Sequence, residues 1–275
     1  MRKIVYPLLV IAVVAGIYFA ERWIDQRDRV SELSERHSVE KTSENSLFNE
    51  FYYPSSTTGI VVEHTYFTLS YNPKHGQSEW VAYKLHPLHL SDNSFKRPYF
   101  EIDAKVPGGS AHWKNYQNSG YDRGHLCPAG DRRFSYEAYK ETFVTSNASP
   151  QNNGFNSGLW NRLEIQVRNW ASKKGELFII TGAVLREDLP TIGVDRISVP
   201  KYFYKIIVTF DESTPKAIAF LMPNENRSEH ISQFVTSISH LETLTGLQFF
   251  SKLPQTTEGA LKGAVDYDFW NLRKK

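Results

Sequence analysis

Three side chains that can handle protons and phosphate stand within four positions of one another in the segment Tyr121–Asp131. Asp122, Arg123 and His125 surround Gly124 in the order Asp-Arg-Gly-His. A neutral imidazole can take a proton from water near pH 7, and a guanidinium binds phosphate oxygens through paired hydrogen bonds. The same four residues also fit a surface histidine beside an Asp122–Arg123 ion pair, so they do not decide the chemistry alone.

A second polar segment leads into a predicted helix. Asn147 and Asn156 bound a stretch of ten residues that holds four asparagines. Glu164 follows Asn156 by 164 − 156 = 8 residues, a little over two turns at about 3.6 residues per turn, which brings both side chains to one side of a helix. Arg168 lies four residues further along the same face. A helix N-cap explains Asn156 alone, but the stripe of Asn, Glu and Arg is typical of a polar site.

Composition narrows the class of protein. The 275 residues carry 32 basic and 30 acidic side chains, a formal net charge of +2, which argues against coating nucleic acid by bulk charge and in favour of a local site. The single cysteine, Cys127, excludes an internal disulfide and a Cys₂ or Cys₄ zinc site. Hydrophobic residues make up 40% and aromatic residues 14% of the chain, which excludes a disordered protein.

The N-terminal residues predict a membrane segment. After Arg2 and Lys3, an apolar run extends from Ile4 to Ala20, 20 − 4 + 1 = 17 residues, at the short end of the roughly 17–25 that span a bilayer. A cleaved signal peptide fits less well, because a cut after Ala20 puts a tyrosine at −3. We therefore predict an uncleaved signal anchor, with the folded domain outside the cytoplasm (periplasmic or extracellular) and a secreted protein as the alternative.

The elements that must position the polar segments follow from hydrophobic periodicity. Strands are predicted at Gly59–Glu63, Tyr66–Tyr71, Trp80–Leu85, Glu141–Ser146, Leu177–Ile180, Tyr202–Phe210 and Ala217–Met222, and helices at Ser157–Ser172, Glu229–His240 and Leu241–Leu247. They interleave without a regular βαβ repeat, so the predicted fold class is α+β, a central antiparallel sheet flanked by helices. The predicted organisation is anchor 1–25, linker 26–51, folded domain 52–253 and C-terminal tail 254–275.

Three motifs in order resemble the DNA/RNA non-specific endonuclease family, which includes mitochondrial endonuclease G and secreted bacterial sugar-non-specific nucleases. They are Asp-Arg-Gly-His at 122–125, Ser-Asn-x-x-Pro-Gln at 146–151 and Asn-x-Gly-x-Trp-x-x-Leu-Glu at 156–164. Weaker matches at Thr181–Ala183, Val199–Lys205 and Thr245–Phe250 extend the resemblance over roughly 52–253. The resemblance implies a ββα-metal nuclease motif within the α+β fold, and it adds a mitochondrial location as an alternative.

The resemblance also implies the catalytic and metal-binding roles. His125 would be the general base that activates water. Asn156 would bind one Mg²⁺ directly and Glu164 would hold it through a water, with Mn²⁺ as a substitute. So few protein ligands are ordinary for magnesium, which keeps much of its water. Asn147 would orient or hydrogen-bond near His125 and the phosphate.

The remaining implied roles concern the substrate. Arg123, Arg168 and an upstream arginine, Arg97, would bind phosphate oxygens and share in catalysis, and Asp122 would support the motif. The implied activity is sugar-non-specific hydrolysis of DNA and RNA that leaves 5′-phosphate ends. Two alternatives stay open: a catalytically silent nucleic-acid-binding protein of the same fold, and a nuclease restricted to one nucleic acid. The sequence leaves the oligomeric state undecided, a homodimer included.

Overall fold

An antiparallel sheet is the centre of the fold. The computed structural model describes residues 52–55, 57–209 and 215–272. Within them, seven strands lie in the order β1-β2-β3-β6-β9-β10-β11, and every neighbouring pair is antiparallel. Their bounds are β1 Ile60–Glu63, β2 Thr68–Asn72, β3 Gln77–Leu85, β6 Leu177–Ala183, β9 Tyr202–Thr209, β10 Lys216–Pro223 and β11 Val235–Thr236. The predicted α+β class with a central antiparallel sheet is confirmed.

The other elements lie outside this sheet. Two short hairpins are formed by β4 Tyr121–His125 with β5 Ala148–Asn152 and by β7 Thr191–Ile192 with β8 Ile197–Ser198. The α-helices of the described residues are α1 Tyr136–Glu141, α2 Asn161–Lys174, α3 Ile238–Thr245 and α4 Gln255–Lys262. A π-helical segment, Phe155–Trp160, runs directly into α2. The hairpin β4–β5 followed by α2 is a ββα unit that carries both polar segments of the sequence.

Strand β9 shows how the sheet is buried on both faces. On one face, the Phe203 ring lies 5.8 Å from that of Trp160, the last residue of the π-helical segment before α2. On the other, Tyr204 lies 5.8 Å from Phe249. Because successive side chains of a strand point to opposite faces, a strand covered on both sides is apolar at nearly every position. This burial anchors the sheet against which α2 is packed.

Two predicted elements are wrong. The β-branched and aromatic residues of Glu141–Ser146 favour a strand, but the segment contains the end of α1 and a turn. It forms no ladder, only one isolated bridge from Val144 to Glu101, and Phe143 is buried by aromatic packing. The pattern of Glu229–His240 predicts one helix. The chain there forms strand β11, Val235–Thr236, which pairs with β10, and a new helix begins where Ser237 caps it through a hydrogen bond from the His240 backbone N–H.

The predicted anchor 1–25 and linker 26–51 lie outside the described residues. Within the part of the chain that the structure describes, no helix is both long and apolar enough to cross a membrane. The predicted domain boundaries stay a prediction. Residues after Leu253 include α4 and Trp270, whose ring packs 5.0 Å from that of Trp170 and whose carbonyl accepts the Trp170 indole N–H at 2.8 Å.

Candidate active site

The hairpin β4–β5 places His125 at the end of its first strand. His125 pairs with Ala148, and Gly124 pairs with Ser149 in the antiparallel register. A side chain on Gly124 would collide with the buried side chain of Gln151, so only glycine fits between the arginine and histidine of the motif. The glycine therefore lets the hairpin close tightly beneath the imidazole.

Aromatic rings surround His125. Its ring centroid lies 5.0 Å from that of Phe100 and 4.8 Å from that of Phe143. The residue is half-buried, and its Nε2 atom is buried with no hydrogen-bond partner among the described residues. Burial, with a smaller contribution from the charge of Arg97, lowers the pKa of His125 to about 3. The imidazole is therefore neutral at physiological pH, as a proton acceptor must be.

Two arginines flank the same aromatic rings. The Arg97 Cζ lies 5.7 Å from the Phe143 centroid, and the Arg123 Cζ lies 5.5 Å from the Phe100 centroid. Both are cation–π distances, which attract the guanidinium to the ring face. The predicted residues Arg97, Arg123 and His125 are thus brought together, although 26 residues (123 − 97) separate the two arginines. Two cations beside a neutral imidazole form a site suited to a phosphate anion.

Asn156 is oriented by Asp122. The Asn156 Nδ2 donates a hydrogen bond of 2.9 Å to Asp122 Oδ2, and the Nδ2 of Asn153 donates to the same oxygen at 3.1 Å. Because the amide nitrogen of Asn156 is occupied by this bond, its Oδ1 is directed to the other side of the amide. Asn156 lies in the π-helical segment, a local widening that is frequent at functional sites. Asp122 therefore holds the amide nitrogens of Asn153 and Asn156, and its supporting role in the motif stays a prediction.

Inside the fold, the charges of Glu164 and Lys205 shift each other's pKa. Burial raises the pKa of Glu164 above its ordinary value, and the largest opposing effect is the charge of Lys205. The Lys205 side chain is fully buried, has its Nζ 4.7 Å from the centroid of Trp160, and makes no hydrogen bond among the described residues. Burial lowers the pKa of Lys205. The charge of Lys205 offsets only part of the effect of burial, so the pKa of Glu164 still rises to about 7.

Arg168 is held by Asp131. Its Nη1 forms an ion pair of 2.8 Å with Asp131 Oδ1, and the other Asp131 oxygen accepts a hydrogen bond of 2.9 Å from the Tyr83 hydroxyl. Asp131 is 1% exposed, so the guanidinium is fixed against the fold rather than left mobile in solvent. A pre-oriented arginine loses less side-chain freedom when it binds a phosphate.

The side chain of Asn147 fixes the backbone that follows His125. This side chain is fully buried. The Asn147 Oδ1 accepts the backbone N–H of Cys127 at 2.8 Å, and its Nδ2 donates to the carbonyls of Cys127 at 3.0 Å and Thr142 at 2.9 Å. These bonds engage the whole amide. The contacts of Asn147 are therefore those of a positioning residue that fixes the strand end carrying His125.

We expect Asn147→Ala to lower the free energy of unfolding by about 3 kcal/mol, because three buried backbone groups lose their partner. Urea denaturation of both proteins measures this. Asn93→Ala is the control, since Asn93 is exposed and bonds one carbonyl, and it should change the free energy by less than about 0.5 kcal/mol. Equal stability of Asn147→Ala and the unmodified chain would show that these hydrogen bonds do not stabilise the fold.

A buried histidine side chain, that of His64, is linked through Asp103 to Ser146, the residue before Asn147. His64 Nε2 lies 2.9 Å from Asp103 Oδ2, and its Nδ1 lies 3.6 Å from Glu141 Oε1. The Asp103 carboxylate also accepts a hydrogen bond from the hydroxyl of Ser146, next to Asn147. Burial alone would lower the pKa of His64, but the hydrogen bond to Asp103 and the nearby Glu141 carboxylate raise it above its ordinary value. The pKa values of Asp103 and Glu141 are lowered, although burial opposes this.

These shifts predict a bell-shaped contribution to stability. The carboxylates stabilise the fold above about pH 4 and lose this effect as the pH falls through their lowered pKa values, whereas His64 stabilises it below about pH 6.5 and loses this effect as the pH rises through its raised pKa. The cluster should therefore stabilise most between these limits. In thermal melts across pH 3–9, His64→Gln is expected to flatten this maximum, while His240→Gln, on an exposed residue, keeps it. If the melting temperatures of His64→Gln and the unmodified chain change with pH in parallel, the cluster does not cause the maximum in stability.

The donor set of the site fits a hard cation with many waters. Among the described residues there is no group of three or more His, Cys, Asp or Glu side chains that could hold a metal. The oxygen of Asn156 and the carboxylate of Glu164 are, however, oxygen donors on one side of the same helical run. Magnesium is typically bound by one or two such protein groups and retains several waters. The residues present therefore suit Mg²⁺ better than zinc.

The comparison with known families agrees with this geometry. A sequence model of the DNA/RNA non-specific endonuclease family matches residues 44–256. The chain belongs to the DNA/RNA non-specific endonuclease family. The resemblance that the motifs indicated is therefore confirmed.

Relatives within the endonuclease family are similar over most of the chain. It is 33% identical over 207 residues to the mitochondrial nuclease EXOG of Danio rerio, covering 69% of this chain and 60% of that protein. It is 32% identical over 235 residues to human EXOG, covering 79% and 64%, and 31% identical over 215 residues to a nuclease of Nostoc, covering 73% and 76%. The chain thus spans about three fifths of the length of the EXOG proteins.

A solved structure from the same endonuclease family has the same fold. It is the crystal structure of EndoG in its complex with EndoGI, in which EndoG is inhibited. The superposition has a TM-score of 0.70 with 28% sequence identity, and it covers 78% of this chain and 95% of that chain. The ββα arrangement of this chain is therefore found in an experimentally studied endonuclease of the family.

The candidate site also contains residues that the sequence analysis did not propose as site residues. Phe100 and Phe143 pack against the imidazole, Asp131 holds Arg168, and the charge of Lys205 lowers the pKa of Glu164 against the effect of burial. One signal is visible in the sequence: Lys205 is a single charged residue within the apolar run of β9, and a buried charge is rarely without a role. The aromatic residues and Asp131 give no such signal, because their function depends on contacts across the fold.

Proposed function

We propose that this chain is a Mg²⁺-dependent, sugar-non-specific endonuclease that hydrolyses phosphodiester bonds of DNA and RNA and leaves 5′-phosphate ends. The observation that carries the proposal is the neutral His125 between Phe100 and Phe143, with Arg97 and Arg123 beside the same two rings. A base and two phosphate-binding cations at one place are what hydrolysis of a phosphodiester requires. Membership of the family and the relatives named nucleases support it.

His125 is assigned the role of general base. Its imidazole takes a proton from the attacking water as the oxygen approaches phosphorus. The pKa lowered by burial and by the charge of Arg97 keeps the ring neutral before substrate arrives. A phosphate bound to Arg97 offsets that cation, so the basicity of the imidazole rises when substrate is in place. Such a base accelerates a reaction by about 10²–10⁴-fold.

The arginines are assigned to the phosphate oxygens. Negative charge grows on the nonbridging oxygens during attack, and Arg123, Arg97 and Arg168 stabilise it. Arg168 keeps its orientation through Asp131. Because the proposed contacts go to phosphate rather than to base edges, they carry no sequence information and do not distinguish the two sugars. This supports cleavage of both DNA and RNA.

Asn156 and Glu164 are assigned to the metal. Asn156 would bind Mg²⁺ through Oδ1, while Asp122 holds the amide nitrogen at 2.9 Å, and Glu164 would hold the ion through a water molecule. The bound ion supplies Lewis-acid stabilisation of the phosphate and leaving-group oxygens. Mn²⁺ prefers similar oxygen donors and is proposed as a substitute.

Location is a separate proposal. The names of the EXOG relatives and of a yeast mitochondrial nuclease that is 32% identical support the mitochondrial alternative. The membrane-anchored location depends on residues 1–25, and it stays a prediction together with the domain division 1–25, 26–51, 52–253 and 254–275. Protease accessibility of the tagged full-length chain in intact cells and in isolated organelles distinguishes the two locations.

The activity is tested with the purified full-length chain on supercoiled plasmid and on a long single-stranded RNA. We expect cutting of both with Mg²⁺ or Mn²⁺ and none with EDTA. The products should accept label from polynucleotide kinase only after phosphatase treatment, because their 5′ ends carry phosphate. Cutting of one substrate alone would establish the restricted nuclease, and binding of both without cutting would establish the silent binding protein.

A further inference from the structure

The loop Phe95–Phe100 presents a basic and aromatic surface beside His125. Its sequence is Phe-Lys-Arg-Pro-Tyr-Phe. The Tyr99 side chain is 92% exposed, about twice the exposure of the next tyrosines, Tyr136 at 45% and Tyr202 at 43%. A ring this exposed contributes little to the stability of the fold. It is available to pack against a ligand.

Both ends of this loop are held by aromatic packing. The Phe95 ring lies 5.5 Å from that of Tyr139 in α1, and the Phe100 ring lies 5.0 Å from that of His125. Between them, Pro98 fixes its own φ and keeps Arg97 out of helical conformations. The exposed residues are therefore carried on a stiff segment, which reduces the entropy lost when a ligand binds.

The charges around the loop suit a polyanion. Lys96 and Arg97 are exposed, and the guanidinium of Arg123 lies over the Phe100 ring at 5.5 Å. Consecutive Cα atoms are about 3.8 Å apart, so the Tyr99 ring starts within one residue of the wall of the His125 site. A basic track with an exposed aromatic ring is the arrangement that binds single-stranded nucleic acid, with the backbone on the cations and a base on the ring.

We propose that Tyr99 stacks on one unpaired nucleobase adjacent to the phosphate held at His125. The inference rests on the proposed nuclease function and adds the substrate form, a strand whose base is free to leave its own stack. Every base has a π-face, so the contact favours single-stranded over duplex substrate without selecting a sequence. The phenol hydroxyl has no part in this contact.

The test uses the full-length chain with Mg²⁺ and two single strands of equal length, an oligothymidylate and a strand of abasic tetrahydrofuran units. The variants are Tyr99→Ala and Tyr99→Phe, with Tyr202→Ala as the matched control on β9. We expect Tyr99→Ala to raise the KM for oligothymidylate about tenfold, the effect of losing one stacked base, with kcat changed less than about twofold. Tyr99→Phe and Tyr202→Ala should retain the original KM.

The abasic strand separates stacking from a general disturbance of the site. The unmodified chain and Tyr99→Ala should cleave it with the same KM. An unchanged KM of Tyr99→Ala on oligothymidylate, or an equal loss on both strands, overturns the proposal. If the unmodified chain cuts neither strand, the nuclease function fails, and fluorescence anisotropy in EDTA decides the stacking: a tenfold weaker binding of oligothymidylate by Tyr99→Ala supports it, and equal binding overturns it.

Discussion

Replacement of His125 by alanine is expected to lower the rate of DNA and RNA cleavage by about 10²–10⁴-fold, the usual effect of removing a general base. The imidazole is half-buried between Phe100 and Phe143, and its pKa is lowered to about 3, so it enters the reaction uncharged. The measurement is initial cleavage of plasmid and RNA at saturating substrate and Mg²⁺.

The control and the binding assay make this prediction specific. His240→Ala removes an exposed histidine of α3 and should cleave at the original rate. His125→Ala should still bind the substrate within about threefold of the unmodified chain, since the arginines remain, and it should show the same far-ultraviolet circular dichroism. An unimpaired His125→Ala variant would remove His125 from the mechanism and leave the phosphate-binding assignment of the arginines standing.

The sequence proposed several residues of the candidate site, but it did not predict the contacts that these residues make in the fold. The eight-residue step from Asn156 to Glu164 already indicated one side of a helix, and the chain forms a π-helical segment followed by α2 there. The predicted strands did not include the Asp-Arg-Gly-His segment, which forms β4 with Gly124 against Gln151. A helix places residues at regular intervals on one face, so the spacing of residue types in the sequence predicts it.

Asn147 shows where sequence reasoning ends. Its type and motif placed it near His125, but its three hydrogen bonds go to the backbone of Cys127 and Thr142, and only the closed fold brings these groups together. Arg168 is similar, because its partner Asp131 lies 37 residues away along the chain. The predicted strand at Glu141–Ser146 failed for the same reason: its apolar residues are buried by tertiary packing, and β-propensity does not distinguish this from a ladder.

Asn156→Ala is expected to weaken Mg²⁺ binding by at least about 100-fold, since loss of an outer-shell partner alone costs about 10–100-fold and Asn156 is proposed as the direct ligand. Cleavage at about 1 mM Mg²⁺ should fall in proportion and recover in part at higher concentrations. Binding is measured without turnover, by titrating Mn²⁺ into the full-length chain and following its electron paramagnetic resonance signal. This readout separates metal affinity from catalysis.

Asp122→Asn provides the graded test, because it keeps the size of the side chain and weakens the hydrogen bond of 2.9 Å that orients the Asn156 amide. We expect Mn²⁺ affinity between those of Asn156→Ala and the unmodified chain, about 10–100-fold below the latter. Asn93→Ala, on an exposed asparagine whose amide nitrogen bonds the Arg133 carbonyl, should bind Mn²⁺ normally. Unchanged Mn²⁺ affinity in Asn156→Ala would show that the metal is not bound by this amide. A loss in Asp122→Asn alone would make the carboxylate itself the ligand.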